Sequence, residues 1–354
     1  MKLIFKLLGL LLATLLITAG FLLWYQYDSF LNAPVNVNGE NAIFEIKPGS
    51  SIRTVATQLE AKGIIAHSEL FFAHARLVDS AHKLKAGEYK LEPGMKPDDL
   101  LKKFVSGQVL QYQLGIIDGQ TFKDIAASIR KQPQIVQTLT EDDYKSIMQK
   151  LGAPAGVLPE GWFFPDTYSF PRKTTDLEFL QRSYKEMQAY LQKAWDGREQ
   201  NPQIRTPYEA LILASIVEKE TGLPEERPLI ARVFLNRLAK GMLLQTDPSV
   251  IYGIGDRYDG NIRKIDLQTD TPYNTYTRTG LPPTPIATPS KAAIDAVMHP
   301  VASDVLYFVA TVPGGPSYFS TTYDEHQQAV RKYILDRPKP AVNPNVDKNK
   351  ESVQ

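Results

Sequence analysis

Cysteine is absent from this 354-residue chain. Disulfides, thiolate metal sites, a cysteine nucleophile and a lipidated cysteine are thereby excluded. An excess of charge of one sign is lacking too. Lys and Arg number 40 against 39 Asp and Glu, and a formal net charge of +1 gives no support for nucleic acid as the main partner. Histidine is scarce: His67, His74, His82, His299 and His326 lie scattered without ligand spacing, so neither a metal nor another cofactor is expected. With 43% hydrophobic and 22% charged residues, the chain is long enough for two modest domains with cores of their own.

One long apolar run is present. Residues 7–27, LLGLLLATLLITAGFLLWYQY, carry no charge and match the roughly 20 residues that cross a bilayer. Trp24, Tyr25 and Tyr27 suit the interfacial belt, and Lys2 and Lys6 place the short end in the cytoplasm. A cleaved signal peptide competes, because Thr18, Ala19 and Gly20 are small. The apolar run continues past them, which favours an uncleaved single-pass anchor with everything from Asp28 onward on the far side of the membrane, which in a bacterium is the periplasm or cell wall space. Residues 28–41, with Pro34 and Gly39, read as a linker.

A spacing then recurs three times. Gly49, Gly94 and Gly119 each follow an alternating apolar segment and precede apolar residues at plus 6 and plus 10, which predicts strand, glycine turn and short amphipathic helix. Ser68 is expected to cap a further helix to Leu77. The repeated units resemble the LysM type of small glycan-binding module; a generic small α+β domain is the other reading. Residues 134–153 look helical and exposed. Residues 158–170, LPEGWFFPDTYSF, read as an irregular packed connector, although aromatic rings beside Glu160 and Asp166 are also what lines sugar-binding clefts.

Residues 206–222, TPYEALILASIVEKETG, organise the remainder of the chain. Thr206 with Glu209 and Pro207 spell a capping box, and Gly222 and Pro224 stop the helix. At about 100° per residue, Leu211, Ile212, Leu213, Ala214, Ile216 and Val217 cover nearly the whole circumference, which predicts a buried central helix. Glu218 ends that run on the side of small Ala214 and Ser215, and Glu220 points roughly 160° away. A carboxyl there can be desolvated into a proton donor near neutral pH, or it can be a helix-end Glu that is solvated or paired with Lys219 or Arg232. Further helices are expected at 175–195, 226–240, from an Asp247 cap to Tyr252, at 290–299, and from a Thr322–Glu325 capping box to Leu335. Between them run a long ordered stretch at 253–289 and a buried strand at 305–312 that turns at Gly314 and Gly315 into residues 318–320.

The motifs Glu160-Gly-Trp-Phe-Phe-Pro-Asp-Thr-Tyr, Ala214-Ser-Ile-Val-Glu-Lys-Glu-Thr, Asn236-Arg-Leu, Leu244-Gln-Thr-Asp-Pro-Ser-Val-Ile-Tyr, Tyr273-Asn-Thr-Tyr, Gly280-Leu-Pro-Pro and Thr322-Tyr-Asp-Glu-His, together with the anchor, resemble the endolytic murein transglycosylases, the MltG or YceG-like family. One departure is visible: where the family shows Gly-Gly-His, Gly315 is followed by Pro316, Ser317, Tyr318, Phe319 and Ser320, so no histidine role carries over. The resemblance implies a lyase in which Glu218 is the acid and then the base in cutting the β-1,4 bond between N-acetylmuramic acid and N-acetylglucosamine, leaving 1,6-anhydro ends. Among the motif residues, side-chain chemistry makes Asn236, Gln245, Asn274 and Tyr276 candidates to bind N-acetyl and hydroxyl groups, with loop and helix-end satisfaction as the other reading. Asp247 is a helix cap or a sugar acceptor, Glu160 a further substrate-binding candidate, and Lys219 and Arg237 are partners for substrate carboxylates. Peptidoglycan synthases are candidate partners, in a role that limits glycan chain length. A lysozyme-like hydrolase and a non-catalytic wall-binding scaffold are the alternatives.

The architecture expected is thus α+β: an anchor at 1–27, a linker at 28–41, a LysM-like region at 42–130, a mixed helical catalytic domain at 131–335 and a disordered tail at 336–354.

Overall fold

The computed structural model describes residues 2–39 and 42–336, so the expected tail lies outside the described residues except for Asp336. By packing, the described residues separate into two units, one of those up to 113 with 134–136 and 169–174, the other of residues 114–133, 137–168 and 175–336. The architecture is mixed α+β, and the strands of the described residues associate in pairs.

In the first unit α1 (Lys2–Asn32) is long and apolar enough to cross a membrane. It runs five residues into the stretch expected as a linker. The reason is local packing: Phe30 and Val35 are buried in one core with Val55, Leu59, Phe71 and Phe104. The Tyr27 hydroxyl also meets His74 Nδ1 at 2.8 Å, while His74 Nε2 lies 3.0 Å from Asp98. Next come β1 (Ile43–Ile46), α2 (Ile52–Ala61), α3 (Ser68–Leu77), β2 (Gly87–Lys90) and α4 (Pro97–Ser106). β1 and β2 are antiparallel with Phe44 opposite Tyr89, and the Phe104 ring packs on both at 5.7 and 4.8 Å. Ser68 does not cap α3. His67 holds that position without a side-chain bond, and Ser68 Oγ donates to Glu60 Oε2 instead.

β3 (Gln111–Gly115) and α5 (Phe122–Arg130) complete the third repeat. All three repeats are therefore strand, turn and helix, and the turn glycines Gly49, Gly94 and Gly119 have φ of 77°, 87° and 76°, a left-handed conformation that a side chain would strain. α5 belongs by packing to the second unit, where Phe122 stacks on Phe163 at 5.0 Å. The packing boundary thus falls after 113, whereas the sequence pattern puts it after 130.

Residues 134–153, in the second unit from 137 onward, differ from expectation. Only α6 (Glu141–Lys145) and α7 (Ile147–Lys150) form, and Tyr144, Ile147 and Met148 are buried, not exposed. The aromatic connector ends in a strand, β4 (Thr167–Pro171), because Tyr168 and Phe170 alternate inward. Then come α8 (Asp176–Asp196), α9 (Pro207–Glu220), α10 (Arg227–Ala239), α11 (Asp247–Ile254), α12 (Lys264–Gln268) and α13 (Lys291–Met298). β5 (Tyr307–Ala310) pairs antiparallel with β6 (Ser317–Ser320); β5 is half-buried, not fully buried as expected. α14 (Tyr323–Val330) starts at the Thr322–Glu325 capping box and runs into a π-helical turn ending at Leu335.

α9 is the axis of this unit. Every residue from 210 to 217 is buried, and α8, α10, α11 and α13 pack round it. Its N-terminus holds half of the expected capping box. Thr206 accepts from Glu209 N, but Glu209 Oε2 reaches back to Arg205 N and not to Thr206.

Candidate active site

Three groups of polar residues gather around α9, all within the second unit. The first surrounds Glu218. Its side chain is only 7% exposed, and Oε1 pairs with Arg227 Nη2 at 3.1 Å. Oε2 accepts from Ser290 N at 3.0 Å and from Ser290 Oγ. Ser290 is the N-cap of α13, accepting from Ala293 N, so the carboxyl meets the positive end of that helix. Neither pairing expected from the sequence forms. Lys219 Nζ donates to Gly119 O, and Arg232 donates to the carbonyls of Val301 and Pro300. Asp118 lies near enough to feel Glu218: burial first, and then that charge, push its carboxyl above the usual range.

The second group is built on Glu160, which is buried at 7% exposure. Its Oε1 accepts from Phe122 N and its Oε2 from the Tyr252 hydroxyl, each at 3.0 Å. Burial outweighs these bonds and pushes the carboxyl up to about 7. Glu160 belongs to the lining of a cavity of about 500 Å³. Backbone bonds relate it to the first group. Gly119 N donates to Thr288 O and Thr288 N to Gln120 O, so residues 119–122 run from Lys219 to Glu160 beside the segment that ends at Ser290.

The third group lies at the other side of the end of α9. Thr246 Oγ1 donates to Glu220, whose enclosed carboxyl is pushed up to about 7 by burial and then by the Asp247 charge. Thr246 N donates to Thr275 Oγ1, Gln245 N to Thr275 O, and the Tyr276 hydroxyl to Asp247 Oδ1. Asp247 is thus not a cap. Thr246 occupies that position, and Asp247 is the first residue of α11. Gln245 is exposed and held at φ 51°, a left-handed conformation. Asn274 is spent inside its loop: Nδ2 donates to the carbonyls of Asp266, Leu267 and Thr269, and Oδ1 accepts from Tyr276 N. Asn236 stands apart and donates to Ser303 O and Val305 O. Arg237 donates to three backbone carbonyls, those of Leu306, Leu243 and Leu244.

The YceG-like family model matches residues 44–332. The chain belongs to the YceG-like family. Among family relatives, the endolytic murein transglycosylase of Bacillus subtilis is 32% identical over 332 residues, which cover 88% of this chain and 91% of that protein. The endolytic murein transglycosylase of Streptococcus pneumoniae is 31% identical over 90% of this chain, which spans 63% of that longer protein. The crystal structure of a YceG-like protein of Listeria monocytogenes matches with a TM-score of 0.51 at 32% identity, covering 81% of this chain and 98% of that one.

Within the YceG-like segment, sequence reasoning missed Arg227, Ser290, Asp118 and Thr246. Ser290 carried a usable signal, because a helix start is a ready anion site and this one was marked by its cap. Arg227 carried none, since its reach to Glu218 depends on the 3₁₀ turn Pro224–Glu226 between α9 and α10. The departure at 315–320 also has a structural role. Glu226, next to Arg227, is buried and accepts from Ser317 N and Ser317 Oγ, which ties the start of β6 to the start of α10.

Proposed function

We propose that this chain is a lytic transglycosylase, a lyase that acts on peptidoglycan, and that Glu218 is its acid and base. What carries the reading is the family match over 44–332, which takes in every residue of the three groups, with relatives named endolytic murein transglycosylase. The bond cut is the β-1,4 link from N-acetylmuramic acid to N-acetylglucosamine, within the strand. Glu218 as the carboxylic acid protonates the glycosidic oxygen, and an oxocarbenium-like state forms. The carboxylate left behind is met by Arg227 and by both donors of Ser290, which lowers the energy of the charge that the first step creates. It then takes the proton from the muramic C6 hydroxyl, whose oxygen closes on C1 as a 1,6-anhydro ring. No water is consumed.

Gln245, Asp247 and Tyr276 are proposed to bind the strand from exposed or half-buried positions. Asn274 and Asn236 act behind them, because their amide donors are committed to the backbone. α1 is proposed to anchor the chain with its C-terminal side in the periplasm. The β1-α2-α3-β2 order, with antiparallel outer strands, supports a LysM-like glycan-binding role for the first unit, and a place beside peptidoglycan synthases accords with action on nascent strands.

One observation favours a second reading. Asp118 beside Glu218 is a second carboxyl, and a lysozyme-like hydrolase needs a pair about 5 to 9.5 Å apart. Digestion of uncrosslinked glycan by the full chain, with products read by mass, separates the two: anhydro ends for the lyase, reducing ends for the hydrolase. Glu218→Gln abolishes either cleavage. Full cleavage by that variant would refute the assignment of Glu218, and a wild type that also cut nothing would leave only the wall-binding scaffold.

A further inference from the structure

The cavity beside Glu160 has chemistry that acid and base work at Glu218 does not use. It measures about 500 Å³, within the roughly 300–1,000 Å³ range of small-molecule sites, and its wall is formed by Phe122, Leu158, Pro159, Tyr144 and Tyr252. Leu158 is 50% exposed at this wall, an apolar side chain left without a cover. The polar groups at the lining are Glu160, held in place by Phe122 N and Tyr252, the Thr284 hydroxyl, and four charged side chains. Those four are engaged in ion pairs: Lys123 with Asp256, Arg130 with Glu141, and Lys145 with Asp142. An apolar wall with a few fixed hydrogen-bonding groups suits a ring that is apolar on its C–H face and hydroxylated at its edge.

Position relates the cavity to the catalytic end of α9. Gly119 O accepts from Lys219, the residue after Glu218, and Phe122 N donates to Glu160. Three residues of chain separate Gly119 from Phe122, a span of at most about 11 Å. The segment 119–122 thus links the catalytic end of α9 to the cavity, and a linear polymer carries several rings beyond the bond that is cut.

We propose that the Glu160 cavity is a saccharide subsite that takes one N-acetylhexosamine ring of the glycan strand, its C–H face against Phe122 and Leu158 and a hydroxyl or amide N–H on Glu160. Phe122 N, the Gly161 backbone and the Tyr252 hydroxyl take up three of the four lone-pair positions of the ionised carboxyl, which leaves one for a ligand, and the protonated form offers a hydroxyl donor instead. The inference rests on the proposed role of Glu218, and its test is arranged so that the two fail separately.

The probe is β-1,4-linked tetra-N-acetylchitotetraose, with binding to the full chain in detergent measured by calorimetry. Leu158→Trp fills the mouth from an exposed position and is expected to weaken tetraose binding about tenfold. On polymeric glycan it is expected to raise KM about tenfold more than it changes kcat. Glu160→Gln, which keeps the shape but not the charge, is expected to act in the same direction. Unchanged tetraose affinity and unchanged KM in a folded Leu158→Trp variant overturn the subsite, even if Glu160→Gln fails to fold. Glu218→Gln serves as the other arm. It is expected to lose cleavage and keep tetraose affinity, so retained cleavage refutes the Glu218 assignment without touching the cavity.

Discussion

At the scale of single residues, the site turns on which groups surround each carboxyl. Arg227 and Ser290 both donate to Glu218, and they differ in what else they do. Arg227→Ala is expected to lower kcat by about 10²-fold, the size typical of losing one charge-stabilising donor, with a much smaller change in KM. Arg227→Lys restores charge without the planar fork and is expected to recover only part of it. A kcat within twofold of wild type in Arg227→Ala would remove Arg227 from the mechanism. Ser290→Ala loses the cap of α13 as well, so about 1 kcal/mol of stability should go with the turnover, read by denaturant melts.

Glu160 and Glu220 allow a prediction about pH. Both are pushed up to about 7 from an ordinary value of 4.5, burial being the main cause. Between those pH values the folded chain holds protons that the unfolded chain has released. The associated stability is fully present below about pH 4.5 and is lost as pH rises through about 7, on the order of 3 kcal/mol for each group. The double variant Glu160→Gln, Glu220→Gln should therefore show a smaller fall in Tm between pH 5 and pH 8 than the wild type. An equal fall in both proteins would contradict the burial argument.

At the scale of elements, α9 and α1 were legible for different reasons. α9 announces itself through Thr206, Pro207 and an apolar run with no polar face, which only a helix buried on all sides tolerates. α1 announces its apolar length but not its end, because Phe30 and Val35 read as ordinary linker residues until the core they enter is known. Phe30→Asp places a charge in that core. Hydrogen exchange of the amides around residues 27–32 should then speed by more than tenfold, while α9 stays protected; unchanged exchange would mean that this turn is held by something else. Residues 134–153 were misread because helical spacing there marks only short turns. Tyr144, Ile147 and Met148 are buried by the unit around them, and periodicity alone does not report such burial.

At the scale of the whole molecule, the two units divide the chain at a place that repeat counting does not show. The three strand-glycine-helix repeats are alike in sequence, yet the helix of the third packs in the second unit through Phe122 and Phe163. The proposed orientation is also a whole-chain property. A periplasmic phosphatase fused after Asp336 should be active in a bacterial host, and a cytoplasm-dependent reporter at the same place silent; the reverse pattern would overturn the orientation.

What the sequence determined by itself is whatever a single element encodes: the apolar span, the glycine turns, the capped and wholly buried α9, and Glu218 at its end. Order and spacing of motifs also carried the resemblance to the YceG-like family. Tertiary structure alone decided the partners. Glu218 meets Arg227 nine residues away and Ser290 seventy-two away, and Glu220 meets Thr246 at a separation of twenty-six. Periodicity sets the direction in which a side chain leaves its own helix, whereas a hydrogen bond between elements depends on how their faces pack, and that information is spread over the entire core.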